Sequence, residues 1–246
     1  MSVYAFSDIH GQRELFDQVM AEIGPDDTVY FLGDAIDRGP DGWAILKELM
    51  NDPRVIYIKG NHEDMMCNAL WRYPDYPPIS NAMSIWNRNG NIPTLTAIDT
   101  EEDIEATANL LSQVRELPAY AIYTNSFGDT FWLSHAGCDY DEEGIEYIPY
   151  HDLIWDRSHY TNNKWYSNNP NNLYIVHGHT PIECLVDDLY SYYDDIDLDI
   201  PEGAYYYADG HKIDIDCGAH FTGTTVLLNL DTFEEKVFTM TDRENI

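Results

Sequence analysis

Short apolar runs alternate along the chain with polar, glycine-containing clusters, and the alternation keeps a fixed order. Val3 to Phe6 reads as a buried strand, Ser7 to Gly11 as a polar turn, and residues 12–23 set Leu15, Phe16, Val19, Met20 and Ile23 along one helical face. The unit then repeats. Residues 28–32 are strand-like, 33–39 are polar, and Pro40-Asp41 opens a helix to about Met50, as proline and an acid do at helix starts. Residues 55–59 run into Gly60-Asn61-His62-Glu63. This order is the grammar of an α/β fold, whose ligand sites gather beyond the strand ends.

Residues 64–117 read as a helical, irregular insert with a proline-rich break at 74–78. Within it a helix is expected over 101–116, where Ile104, Ala108, Leu111 and Val114 share a face. Strands resume at 119–123 and 130–134, the latter ending in His135-Ala136-Gly137; another, 173–176, ends in His177-Gly178-His179-Thr180. Residues 213–216 and 225–230 look like two strands joined through Gly218 and Gly223, an antiparallel finish that makes the expected sheet mixed. Residues 187–210, rich in acids and tyrosines including Tyr205, Tyr206 and Tyr207, have no clear period and fit either a surface loop or an acidic hairpin. With no internal repeat and no Gly/Ser linker, residues 1–246 are read as one domain.

Composition narrows the partners. At 44% hydrophobic and 23% charged, the 246 residues are not those of a disordered or disulfide-stapled chain. Thirteen Lys+Arg against 44 Asp+Glu give a formal charge of −31, which repels phosphate backbones and anionic head groups, so neither nucleic acid nor a membrane is an expected partner. Cys67, Cys138, Cys184 and Cys217 form no Cys-x-x-Cys pair and read as buried thiols. No apolar run approaches the ~18 residues of a spanning helix, and Asp8 interrupts the first apolar run too early for a signal-peptide core. The expected location is the cytoplasm.

The polar clusters carry the chemistry. In an extended segment residues two apart point the same way, so Asp8 and His10 could hold one cation together, with Gly11 allowing a sharp turn. Asp34, Asp37 and Arg38 lie between Gly33 and Gly39: Asp34 is a candidate metal ligand, Asp37 a partner for a histidine, and Arg38 a fork for phosphate, unless Asp37 and Arg38 merely form a loop salt bridge. Asn61 offers a neutral oxygen, or a helix cap, and His62 is a candidate proton donor. His135 and His179 add imidazoles at two more strand ends. Such oxygen and nitrogen donors without cysteine suit Mn²⁺, Fe or Zn²⁺, and they suffice for two cations bridged by one carboxylate.

Asp8-x-His10-Gly11, Gly33-Asp34-x-x-Asp37-Arg38-Gly39, Gly60-Asn61-His62-Glu63, His135-Ala136-Gly137 and Gly178-His179-Thr180 together resemble the PPP-type, calcineurin-like metallophosphoesterases. Within them the similarity is to the bacterial and phage lambda-type serine/threonine phosphatases. It extends over nearly the whole chain, through Trp86-Asn87-Arg88-Asn89-Gly90, Leu153-Ile154-Trp155-Asp156-Arg157 and Ile215-Asp216-Cys217-Gly218-Ala219. The resemblance implies a layered sandwich of mixed sheets flanked by helices, with a dinuclear metal site at the strand C-terminal ends. It also implies that Asp8, His10 and Asp34 hold one divalent ion, while Asp34, Asn61, His135 and His179 hold the other, Mn²⁺ being the expected metal. Arg38 and Arg157, with Asn61, would bind the phosphoryl group. A bridging hydroxide would attack in line, and His62, oriented by Asp37, would act as general acid.

Three positions depart from the family pattern: Ser7 and Ala136 stand where glycine is common, and Pro181 follows Thr180. No further histidine follows Gly178-His179-x, which argues against the nuclease and cyclic-nucleotide branches. His177 is read as support for its neighbours. The expected activity is hydrolysis of phosphoserine and phosphothreonine in proteins, with small phosphoesters as further substrates. Dinucleoside polyphosphate hydrolysis is the alternative, and an inactive metal-binding scaffold a third reading.

Overall fold

The computed structural model describes residues 1–75, 81–161, 164–184 and 200–241. Among the described residues ten strands form two five-stranded sheets. The first has the order β10-β9-β1-β2-β3, from β1 (Val3–Phe6), β2 (Thr28–Phe31), β3 (Val55–Tyr57), β9 (Thr224–Asn229) and β10 (Glu235–Thr239). The second runs β4-β5-β6-β8-β7, from β4 (Tyr120–Thr124), β5 (Thr130–Ser134), β6 (Leu173–His177), β7 (Tyr205–Tyr207) and β8 (Lys212–Asp214). Both are mixed: β1, β2 and β3 are parallel, as are β5, β6 and β8, while β4, β7, β9 and β10 pair antiparallel.

The layering follows from the two-residue period of a strand. Val3 and Ala5 of β1, Tyr30 and Leu32 along β2, Phe131 and Leu133 of β5, Val176 of β6 and Val226 and Leu228 of β9 pack together between the sheets. The alternate residues Phe6, Val29, Phe31 and Tyr57 face the other way, against Leu15, Phe16 and Val19 of α1 (Arg13–Glu22) and Ile45, Leu46 and Leu49 of α2 (Gly42–Asn51). Trp132 and Ile175 turn outward from the second sheet onto Leu153 and Ile154 of α7 (Tyr150–Trp155).

The helical insert comprises the body of α3 (Asn61–Ala69), then α4 (Asn81–Arg88), α5 (Ile92–Asp99) and α6 (Ile104–Arg115). Leu111 and Val114 of α6 are buried, as the periodicity predicts, and Ala108 is half-buried, whereas Ile104 of the same expected face is exposed in the first turn. The expected antiparallel pairing of residues 213–216 with 225–230 is not formed. β8 belongs to the second sheet and β9 to the first, and α8 (Ala219–Thr222) carries the chain between them, flanked by left-handed Gly218 and Gly223. β8 pairs instead with β7, so residues 205–214 form the hairpin. Much of the acidic stretch lies outside the described residues. Among the described residues no helix is long and apolar enough to cross a membrane.

Candidate metal centre and active site

The parallel strands bring their C-terminal ends to one edge of the sandwich, and the polar turns meet there. These turns are not extended. Asp8, His10, Asp34, Asp37, Arg38 and His179 all have positive φ, from 42° to 72°. Asp8 and His10 therefore do not align as alternate residues of a strand; they meet through Asp34, which reaches between them from the next turn. Such backbone costs of the order of 1–3 kcal/mol per residue and persists only where its surroundings enforce it. Close packing does so here: a Cβ on Gly33, at φ +97°, would lie 2.4 Å from the Gly60 nitrogen.

Asp34 is the centre of the arrangement. Its Oδ2 lies 3.6 Å from His10 Nε2 and 3.8 Å from His62 Nε2, and its Oδ1 lies 3.4 Å from His135 Nε2. Two groups of buried donors result, His10 with Asp34 and His62, and Asp8 with Asp34 and His135, each with its ligand atoms mutually within 4.8 Å. Asn61 Oδ1 sits 2.9 Å from His135 Nε2 and 3.0 Å from His179 Nδ1. The six candidate ligands thus converge, although Asp8 groups with His135 rather than with His10.

Backbone carbonyls set the imidazoles. His10 Nδ1 donates to the Ile36 carbonyl at 2.9 Å and His135 Nδ1 to that of Leu32 at 2.7 Å, which turns Nε2 of each ring toward Asp34. Burial, opposed by His135 and reinforced by Asp34, pushes the Asp8 carboxyl up to about 6. Burial also works against charge on His135, but Asp34 and Asp8 outweigh it and push its pKa up to about 9. Burial, with Arg38 beside His10 and His135 beside His179, keeps those two imidazoles neutral and free to ligate. Asp8 Oδ1 is buried without a hydrogen-bond partner. Two buried carboxylates, two neutral imidazoles, an amide oxygen and this orphaned carboxylate oxygen fit divalent cations of oxygen and nitrogen preference.

Beside this cluster Asp37 Oδ2 accepts a 2.6 Å hydrogen bond from His62 Nδ1 and a 2.7 Å bond from Trp86 Nε1, and the Asp37 nitrogen donates to Thr94 Oγ1 at 2.9 Å. Arg38 Nη2 donates to His62 Nε2 at 3.3 Å, while its guanidinium carbon lies 5.5 Å from the exposed Phe221 ring. Asp37 and Arg38 therefore do not pair with each other; both address His62. Arg157 donates to Thr180 Oγ1 at 2.5 Å and to the His179 carbonyl at 3.3 Å.

Several supporting residues were invisible as such in the sequence. Glu63 accepts from the Asp34 and Gly60 nitrogens through Oε2 and from the Ala35 nitrogen and Tyr57 hydroxyl through Oε1, stapling two turns together. Its place directly after His62 was the available signal. Trp86, inside a conspicuous motif, had no readable partner, and Tyr207 and His159 had no signal at all.

A two-sheet α/β sandwich with carboxylate and imidazole donors at its strand ends defines the metallophosphoesterase class. The family model for calcineurin-like phosphoesterase matches residues 1–221, and the chain belongs to that family. It is similar to bis(5'-nucleosyl)-tetraphosphatase PrpE (asymmetrical) of Bacillus velezensis, 25% identical over 74% of this chain and 79% of that protein. It is also similar to serine/threonine-protein phosphatase 1 of Salmonella typhimurium, 26% identical over 75% and 81%. Among solved structures, a metallophosphoesterase from Sphaerobacter thermophilus shares the fold at a TM-score of 0.57 and 15% identity, covering 99% of this chain and 90% of that one.

Proposed function

We propose that this metallophosphoesterase is a phosphomonoester hydrolase acting on phosphoserine and phosphothreonine in proteins. The observation that carries the reading is the buried Trp86-Asp37-His62 chain set against the His10-Asp34 cluster. Asp8, His10, Asp34, Asn61, His135 and His179 are the proposed ligands of two divalent cations, Mn²⁺ first among them, with Asp34 shared. Bound there, such cations supply electrostatic stabilisation of the transferring phosphoryl group and acidify water.

The chain's own residues do the rest. Arg38 and Arg157 present planar forks to phosphoryl oxygens, and the Asn61 amide adds a further polar contact. Asp37 holds Nδ1–H of His62, so that Nε2 faces the cluster and is the atom that delivers a proton to the departing oxygen. For that, Arg38 must exchange its contact with Nε2 for one with the phosphoryl group.

Dinucleoside polyphosphate hydrolysis is the second reading, favoured by the tetraphosphatase relative. A charge of −31 disfavours it, because a polyphosphate chain brings several negative charges to a negative surface. Turnover of phosphopeptides and of diadenosine tetraphosphate at equal enzyme separates the two; a large excess for the dinucleotide reverses the ranking. Chelator should abolish activity and Mn²⁺ restore it. His62→Asn should slow turnover by about 10²–10⁴-fold with Mn²⁺ still bound, and unchanged turnover removes His62 from the mechanism.

A further inference from the structure

We propose that the Tyr207 hydroxyl is a positioning group for the metal centre, locking together from behind the two loops that bear His135 and His179. The inference rests on the reading of those two histidines as metal ligands.

Tyr207 ends β7 and is buried, as are His159 and His177. Its hydroxyl lies 2.7 Å from His177 Nε2 and 3.1 Å from His159 Nδ1. His159 Nε2 donates onward to the Ala136 carbonyl at 2.6 Å, one residue beyond His135. His177 stands two residues before His179, with its Nδ1 3.0 Å from the Gly178 carbonyl. The chain of contacts therefore begins on the His135 loop, passes through two imidazoles and one phenol, and ends on the His179 loop. The hydroxyl has one hydrogen to give: His159 donates from Nε2, so its Nδ1 accepts that hydrogen, and the hydroxyl accepts in turn from His177 in the tautomer that carries its hydrogen on Nε2.

The loops rest directly on this assembly. Gly137 has φ +75°, and a Cβ there would lie 2.8 Å from both His159 Cε1 and His177 Cγ, so the rings are the floor of the His135 turn. His159 also ties in the Arg157 segment two residues upstream, and its own carbonyl accepts from Lys212 Nζ at 3.1 Å. Tyr207 is held in turn by its pairing with Lys212 across the β7-β8 hairpin. Without the hydroxyl, two buried imidazole nitrogens lose their partner and the rings lose the tie that sets their separation. Ligand geometry tolerates only about 0.5 Å of such drift.

The test is calorimetric titration of Mn²⁺ into the metal-stripped 246-residue chain, with urea unfolding of each metal-free variant alongside. Tyr207→Phe should weaken Mn²⁺ affinity by about 10–100-fold. His177→Leu should do the same, whereas His177→Gln, which keeps an amide nitrogen at the Nε2 position, should retain most of the affinity. Wild-type affinity in Tyr207→Phe overturns the proposal, as does a lowered unfolding midpoint with unchanged affinity, which marks a purely structural role. If Tyr207→Phe does not fold, the contrast between the two His177 variants decides, and equal affinity in both overturns it. His135→Ala separates failure of the underlying reading: wild-type affinity there shows that His135 is not a ligand, whatever Tyr207 does.

Discussion

Asp37 is buried with two hydrogen-bond donors on one carboxylate oxygen, and that crowding makes it an orienting group for His62. Trp86→Phe removes one donor and keeps an aromatic, though smaller, ring in the buried site. It should lower kcat less than Asp37→Asn, which also changes the proton that His62 Nδ1 can share; the measurement is kcat at saturating Mn²⁺ for both, and equal losses contradict the arrangement. His159 makes a separate prediction about stability. Burial, with Lys212 close by, pushes its pKa down to about 3, against 6.5 for a free imidazole. His177, Tyr207, Tyr160 and Lys212 surround it, with Asp139 paired to Lys212. The unfolded chain therefore binds the extra proton in the window between those values. The contribution of His159 is complete above 6.5 and is lost as pH falls toward 3. Urea midpoints measured from about pH 4 to pH 8 should slope less in His159→Gln than in the wild type.

At the scale of elements, the candidate ligands sit where strands stop. Every parallel strand except β3 hands its chain to a turn that contains left-handed backbone, whereas Gly60 after β3 is extended at φ −92°, and neighbouring turns touch with no space for a side chain. Gly33→Ala should therefore destabilise the fold by roughly 1–3 kcal/mol and weaken Mn²⁺ binding, because the new methyl meets the Gly60 nitrogen and lies 3.1 Å from His135 Nδ1. Gly128→Ala is the control. Gly128 has φ +91° but nothing within 4 Å of its Cβ position, so that variant should keep wild-type Mn²⁺ affinity. The helical insert is also more than decoration: α4 supplies Trp86 and α5 supplies Thr94, and both grip Asp37.

Across the whole molecule, the charge of −31 acts on encounter rather than on chemistry. Added salt shortens the screening length to about 10 Å at 0.1 M. Raising ionic strength should therefore increase kcat/KM for a small anionic aryl phosphate and decrease it for a phosphopeptide flanked by lysines. Parallel salt profiles for the two substrates would remove long-range steering from the account.

The alternating pattern by itself determined the strand-helix order, the buried face of α1 and the later half of that of α6, and the placing of Asp8, Asp34, Asn61, His135 and His179 at strand ends, because side-chain period and turn chemistry are local properties. It did not determine which strands pair. Residues 213–216 and 225–230 look like one hairpin, yet belong to different sheets, since pairing depends on which faces must be covered at a distance. Nor could it assign Glu63, Trp86, His159 or Tyr207 their partners, for a hydrogen bond between residues tens of positions apart leaves no trace in spacing. Only the closing of two sheets over a shared core decided that six ligand candidates face one another and that a tyrosine from an edge strand stands behind them.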